Sequence, residues 1–326
     1  MITSNENVLL LDGDIAVKPR FERILAVVSP TRGKQAALER AIGLGRSCQC
    51  PVEAFVCIYD PYIAGERFAD SDGLAKAREA LKASTGEWLQ TRLMEIDTEG
   101  VELSTQVGWG SPLCEAVLGR AAEIGADLIV KDTHHHPHLE RALFSNTDWN
   151  LLRGFEDALW LVKPPNWPQH PVIMACVDPV QEHERPHGLD LKILDVAGLI
   201  KDIFSGDLHV VHAYPSISNS VLAISAIPGA AGFPLEVSEE VIVEEHKEAL
   251  DELILGHAAP GTDVHFVAGT PRDVLLEHSK ITRANVVVMG VVARGMLKRL
   301  MLGSTAEQVL DQIPCDVLAV RAAEDA

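Results

Sequence analysis

The sequence predicts an α/β fold of two tandem, doubly wound lobes, each built on a parallel five-stranded sheet. Three observations predict it. The second half repeats the first: Ser145-Asn146-Thr147-Asp148 and Gly303-Ser304-Thr305-Ala306 stand 158 positions apart, as do Trp160 and Leu318. Short, continuous apolar runs alternate with helical patterns throughout, which is how strands buried on both faces of a parallel sheet read. Between the halves lies Lys163-Pro164-Pro165-Asn166-Trp167-Pro168-Gln169-His170-Pro171, whose four prolines end any regular element and make a stiff connection. The expected organisation is a leader over 1–20, a first lobe over 21–165 and a second over 170–322.

The first lobe opens on the apolar run Ile24 to Val28, a strand ended by Ser29-Pro30. From Lys34 to Cys48 the spacing of Ala37, Leu38, Ala41, Ile42 and Leu44 is helical. Val52 to Tyr59 reads as the second strand, Gly73 to about Ile96 as a long amphipathic helix, and Val101 to Val107 alternates as a third strand. Ser111-Pro112 then opens a helix, with proline expected at the first helical position. Leu128 to Lys131 and Leu159 to Val162 complete the sheet. The second lobe runs the same course. Its strands are Val172–Val177, Leu208–Ala213, Val264–Val267, Val286–Met289 and Val317–Val320. Its helices cover Leu189–Ile203, Glu236–Leu255 and the segment opened by Thr270-Pro271.

A formal charge of −19 with no basic block argues against nucleic acid and against an anionic membrane surface as partners. The six cysteines form no Cys-x-x-Cys, and several sit in apolar runs as small hydrophobes, which fits a reducing compartment. The first residues carry Glu6, Asp12 and Asp14 around a short apolar run, unlike a signal peptide or a membrane span. The expected location is the cytoplasm.

Doubly wound sheets bind ligands beyond the carboxyl ends of their strands, where the strand order reverses. In the second lobe that position falls on Asp178, after the first strand, and on Met289-Gly290, at the end of the fourth. Gly303-Ser304-Thr305 then opens the last helix, where amides and a hydroxyl favour an anion. Ser304 and Glu307 also read as a capping box, which needs no ligand. The aligned first-lobe positions carry Asp132 for Gly290, Ser145 for Gly303 and Asn146 for Ser304, and an aspartate there repels a polyphosphate. The first lobe is therefore expected to bind no nucleotide in this mode.

Gly290, the following loop and Gly303-Ser304 resemble the signature of the universal stress protein family, with Ala293 at the middle glycine position. Trp149 with Leu151-Leu152-Arg153, and the tandem layout, resemble the two-domain E group of that family. The resemblance spans about Phe21 to Ala322. It implies the adenine nucleotide alpha hydrolase-like fold and a noncatalytic role in the stress response. It also implies a nucleotide, ATP or AMP with magnesium, at the second lobe. Asp178 would then lie near the base or ribose. The backbone at Met289 and Gly290 would lie with Gly303, Ser304 and Thr305 around the phosphates, and Arg294 would add positive charge. The alternatives are a slow ATPase or phosphotransferase, and a purely protein-interaction module that binds no nucleotide. No Walker loop, nucleophile elbow or His-Glu-x-x-His points to an enzyme. His246, His257, His265 and His278 scatter along the second half.

Two further segments stand out. Thr133 to His138 holds four histidines, among which His134 and His136 with a nearby carboxylate are candidate zinc ligands; the alternative is an exposed polar loop. Residues 216–234 carry no charge and need cover. They read as a seam between lobes or subunits, or as a lid over an amphiphilic phosphorylated ligand. The expected assembly is a monomer with paired lobes or a homodimer, acting on a protein partner the sequence does not identify.

Overall fold

The computed structural model describes residues 21–30, 35–64, 71–133, 144–163, 167–180, 188–215, 239–291, 309–310 and 312–321. In the first lobe the order is β1 (Ile24–Val27), α1 (Ala36–Cys48), β2 (Val52–Ile58), α2 (Ser71–Leu93), β3 (Leu103–Trp109), α3 (Leu113–Ile124), β4 (Leu128–Asp132), α4 (Asn146–Gly154) and β5 (Ala158–Val162). In the second it is β6 (Val172–Val177), α5 (Leu189–Phe204), β7 (Asp207–Tyr214), α6 (Glu239–His257), β8 (Asp263–Ala268), α7 (Pro271–Ile281), β9 (Val286–Gly290) and β10 (Asp316–Val320). The expected leader lies outside the described residues.

Local chemistry sets the helix ends. Helix α1 buries Ala37, Leu38, Ala41, Ile42 and Leu44 along one stripe, and it stops where Gln49 turns left-handed at φ 53°. Helix α3 stops at Gly125, φ 66°, whose N–H donates to Ala121 and Ala122. Pro112 sits one place earlier than expected: it is the extended residue before the helix, not its first residue. Thr270-Pro271 follows the expectation, with the Thr270 hydroxyl accepting from Asp273 N and proline at the first position.

Each lobe is a parallel sheet of order 3-2-1-4-5 in its own strands, and the two join edge to edge. The combined ten-stranded order is β3-β2-β1-β4-β5-β10-β9-β6-β7-β8. The joint is antiparallel, with Leu161 opposite Val317, Trp160 opposite Leu318 and Leu159 opposite Ala319. Side chains alternate across the sheet, so two apolar cores form, one on each face. One packs under α1, α2, α5 and α6, the other under α3, α4 and α7, and both draw buried residues from both lobes. A reciprocal clasp flanks the joint. Lys163, just past β5, donates to the carbonyls of Leu310 and Ile313 (3.3 and 2.7 Å). Arg321, just past β10, donates to those of Leu152 and Arg153. Each lobe thus lends a cation to the carbonyl-rich end of the other lobe's last helical segment, where the backbone dipole favours it.

All six cysteines are free and all but Cys57 are buried. No helix among the described residues is long and apolar enough to cross a membrane.

Candidate functional site

Strand order reverses between β1 and β4 in the first lobe and between β6 and β9 in the second. The register pairs Cys176 with Met289, which brings Asp178 and Gly290 together across the second reversal. Asp178 is half-buried, and its backbone N–H donates to Asp190 Oδ1 (3.2 Å) in the first turn of α5. Met289 is buried in the core, so only its backbone faces the cleft end of the strand. A side chain on Gly290 would collide with Leu189: a Cβ there would lie 2.7 Å from Leu189 Cδ2 and 3.3 Å from Ile193 Cδ1. Glycine at 290 therefore lets α5 pack directly onto the end of β9. Gly303, Ser304, Thr305 and Arg294 lie outside the described residues, as do His134, His136 and the segment 216–234.

The equivalent end of the first lobe is filled by its own carboxylates. Asp132 Oδ1 accepts from Ala37 N (3.1 Å), at the start of α1. Burial pushes its carboxyl up to about 6, against the opposing pull of the Ala37 hydrogen bond and then Arg40. Asp148 occupies the start of α4: its Oδ2 accepts from Ser145 N and from the Ser145 hydroxyl (2.7 and 2.8 Å), while Ser145 Oγ accepts from Asp148 N. Its other oxygen pairs with Lys131 Nζ at 2.7 Å, both side chains being almost wholly buried. Both helix starts that would offer amides to an anion already hold one. The repeat puts Met289, Gly290 and Ala306 at the positions of Lys131, Asp132 and Asp148, so the second lobe carries none of these three charges.

Three of the four histidines expected to scatter, His246, His265 and His278, join ring clusters, and His257 stays exposed apart from them. His212 on β7 has Nδ1 3.1 Å from the Val177 carbonyl, so it donates there, and its Nε2 accepts from His246 Nδ1 at 2.8 Å. Burial lowers the His246 pKa, with Asp178 and Glu245 opposing. This chain of two rings ends beside the residue that precedes Asp178. A second pair, His209 and His265 (2.9 Å), lies on the other face of the sheet with His278 edge-on to it. Alternation along β7 and β8 carries this signal in the sequence, once their register is known. Among the described residues no group of three or more His, Cys, Asp or Glu side chains is arranged to hold a metal ion.

A family model described as the universal stress protein family matches residues 20–163 and 192–321. Universal stress protein E of Escherichia coli (strain K12) is 27% identical over 302 residues, covering 92% of this chain and 94% of that protein. The universal stress protein E homolog of Haemophilus influenzae is 24% identical over 307 residues, covering 93% and 98%. Among solved structures, a universal stress protein from Archaeoglobus fulgidus DSM 4304 matches with a TM-score of 0.63 at 15% identity, over 92% of this chain and 98% of that one. A functionally unknown protein from Pseudomonas aeruginosa PAO1 matches with a TM-score of 0.66 at 24% identity, over 92% of each chain. At these identities the structures speak for the fold.

Proposed function

The chain belongs to the universal stress protein family, and from that premise we propose that it is a noncatalytic, cytoplasmic stress-response regulator whose second lobe binds a nucleotide while its first lobe is structural. One observation carries this reading. The first lobe covers its own helix starts with Asp132 and Asp148, and the second lobe has Gly290 and Ala306 in their place. Removing two carboxylates from one reversal point makes room, electrostatically, for a polyphosphate. Asp178 then accepts from ribose or base hydrogen-bond donors, the backbone of Met289 and Gly290 forms the floor, and Gly303, Ser304 and Thr305 hold phosphate with help from Arg294. Magnesium would accompany a triphosphate. The two proposed units are 21–165 and 170–322.

Calorimetric titration of ATP, ADP and AMP with magnesium tests this on wild type and on Gly303→Val/Ser304→Ala. The expected outcome is saturable binding to wild type that the double variant loses. No binding to wild type overturns the nucleotide reading. The crowding of Gly290 by Leu189 and Ile193 favours a second reading, in which the second lobe too is a protein-interaction module without nucleotide. In that case the protein partner is the regulator's only ligand. Steady phosphate release that Ser304→Ala abolishes would instead point to a slow ATPase.

A further inference from the structure

A cavity of about 290 Å³ opens between the lobes, beside the first turns of α1. Its walls come from three places: Ala36 and Arg40 of α1, Trp167 and Gln169 of the proline-rich connection, and Phe204 at the end of α5. A cavity of roughly 150 Å³ holds benzene, so this one has room for a ring with a substituent.

Its chemistry is uneven. Arg40 is 6% exposed, and its guanidinium carbon lies 4.7 Å from the centre of the Trp167 ring. Nε sits 2.9 Å from Asp316 Oδ2. Nη2 is buried and has no hydrogen-bond acceptor among the described residues. The Trp167 indole N–H is buried too, and it is directed at Asp316, whose carboxylate it favours. Arg40 Nη2 is thus a buried donor that lacks an acceptor among the described residues at an open cavity. Glu39 and Gln169 add polar wall, and the rest is flat and apolar. Phe204 meets Trp167 edge-on at 5.1 Å, and Pro168 and Pro171 flank them.

The acceptor that fits is uncharged. The guanidinium already faces Asp316, then Asp132, then Glu39. A fourth carboxylate beside these three would be repelled. A carbonyl oxygen satisfies Nη2 without that penalty, and a planar ring matches the aromatic and proline walls. We propose that the interlobe cavity is a binding site for a small uncharged ring compound bearing a carboxamide or lactam, its carbonyl oxygen accepting from Arg40 Nη2. Such a ligand touches both lobes and the connection at once, so its binding opposes any movement of one lobe against the other. The site is independent of the nucleotide reading.

Three probes of similar shape separate the contributions: benzamide, benzoate and toluene, titrated into the full chain by ligand-observed NMR. Benzamide is expected to bind saturably, with benzoate and toluene at least about tenfold weaker, since each lacks either the neutrality or the acceptor. Ala36→Phe fills the cavity without touching the Arg40–Asp316 pair and is expected to weaken benzamide at least about tenfold. If that variant does not fold, Gln169→Trp at the exposed mouth serves the same purpose. Benzoate binding as tightly as benzamide overturns the neutral-acceptor assignment, and toluene doing so overturns the role of Arg40. Unchanged benzamide binding in the cavity-filling variant, or no binding of any probe at millimolar concentration, overturns the site.

Discussion

Lys131 and Asp148 are buried to 1% exposure or less, and an ion pair in that setting is costly to break from either side alone. The repeat supplies its own substitution, since the second lobe has Met289 and Ala306 at the corresponding positions. Lys131→Met alone leaves the Asp148 carboxylate uncompensated and is expected to cost about 3–5 kcal/mol in urea unfolding. Lys131→Met/Asp148→Ala removes both charges and is expected to be more stable than the single variant, although it forfeits the Ser145 capping box, worth about 1 kcal/mol. A double variant as unstable as the single one would show that the pair is not what holds these residues. At this scale the sequence was only partly legible. Asp132 declared itself as a charge facing a phosphate position. Lys131 did not, because a lysine at a strand end normally reaches water, and its partner lies 17 residues away in the chain.

Elements were more legible than the way they meet. Helix α1 was expected from Lys34 and is described from Ala36, and α5 was expected to Ile203 and runs to Phe204. Periodicity carries this information because each helix buries one continuous stripe. The β5–β10 joint carries no such signal: a strand buried on both faces reads the same whether its edge is free or paired. The residue that marks the joint is Asp316, the first of β10. It is 1% exposed and accepts from the Lys163 backbone (2.8 Å) and the Trp160 indole (3.2 Å), with Arg40 alongside. Burial pushes its carboxyl up to about 7, opposed first by Arg40. A carboxyl raised above its unfolded value binds its proton more tightly in the native state. Its contribution is therefore complete below about pH 4 and is lost as pH rises through about 7. Wild type is expected to lose stability relative to Asp316→Asn from about pH 4 to 7, by up to about 1.4 kcal/mol per pH unit. Asp132, raised in the same direction, is common to both proteins and cancels. Paired urea titrations across that range check it, and a difference that is flat or grows with pH would refute the assignment.

On the scale of the whole molecule, the repeat announced two lobes, but the division it suggests is not a division of the core. Both apolar clusters contain residues from β5 and from β10, and the clasp made by Lys163 and Arg321 crosses the same joint. A sheet that continues through an antiparallel pair and a core that continues on both faces give neither lobe a boundary at which to unfold alone. The full chain is therefore expected to melt in one calorimetric transition. Residues 21–165 expressed by themselves would bare the β5 edge, with Leu159, Trp160 and Leu161 uncovered, and would strip Arg40 of Asp316. An apolar edge strand in that state pairs with whatever matches it, and a second copy matches because β10 is the repeat of β5. Size-exclusion chromatography with light scattering is expected to find that fragment dimeric or aggregated. A well-folded monomer at tens of micromolar, together with two resolved transitions in the full chain, would make the lobes independent domains. A dimer would instead mean that covalent tandem repetition does within one chain what self-association does for a single lobe. The first lobe would then serve the second by holding the edge on which it is built.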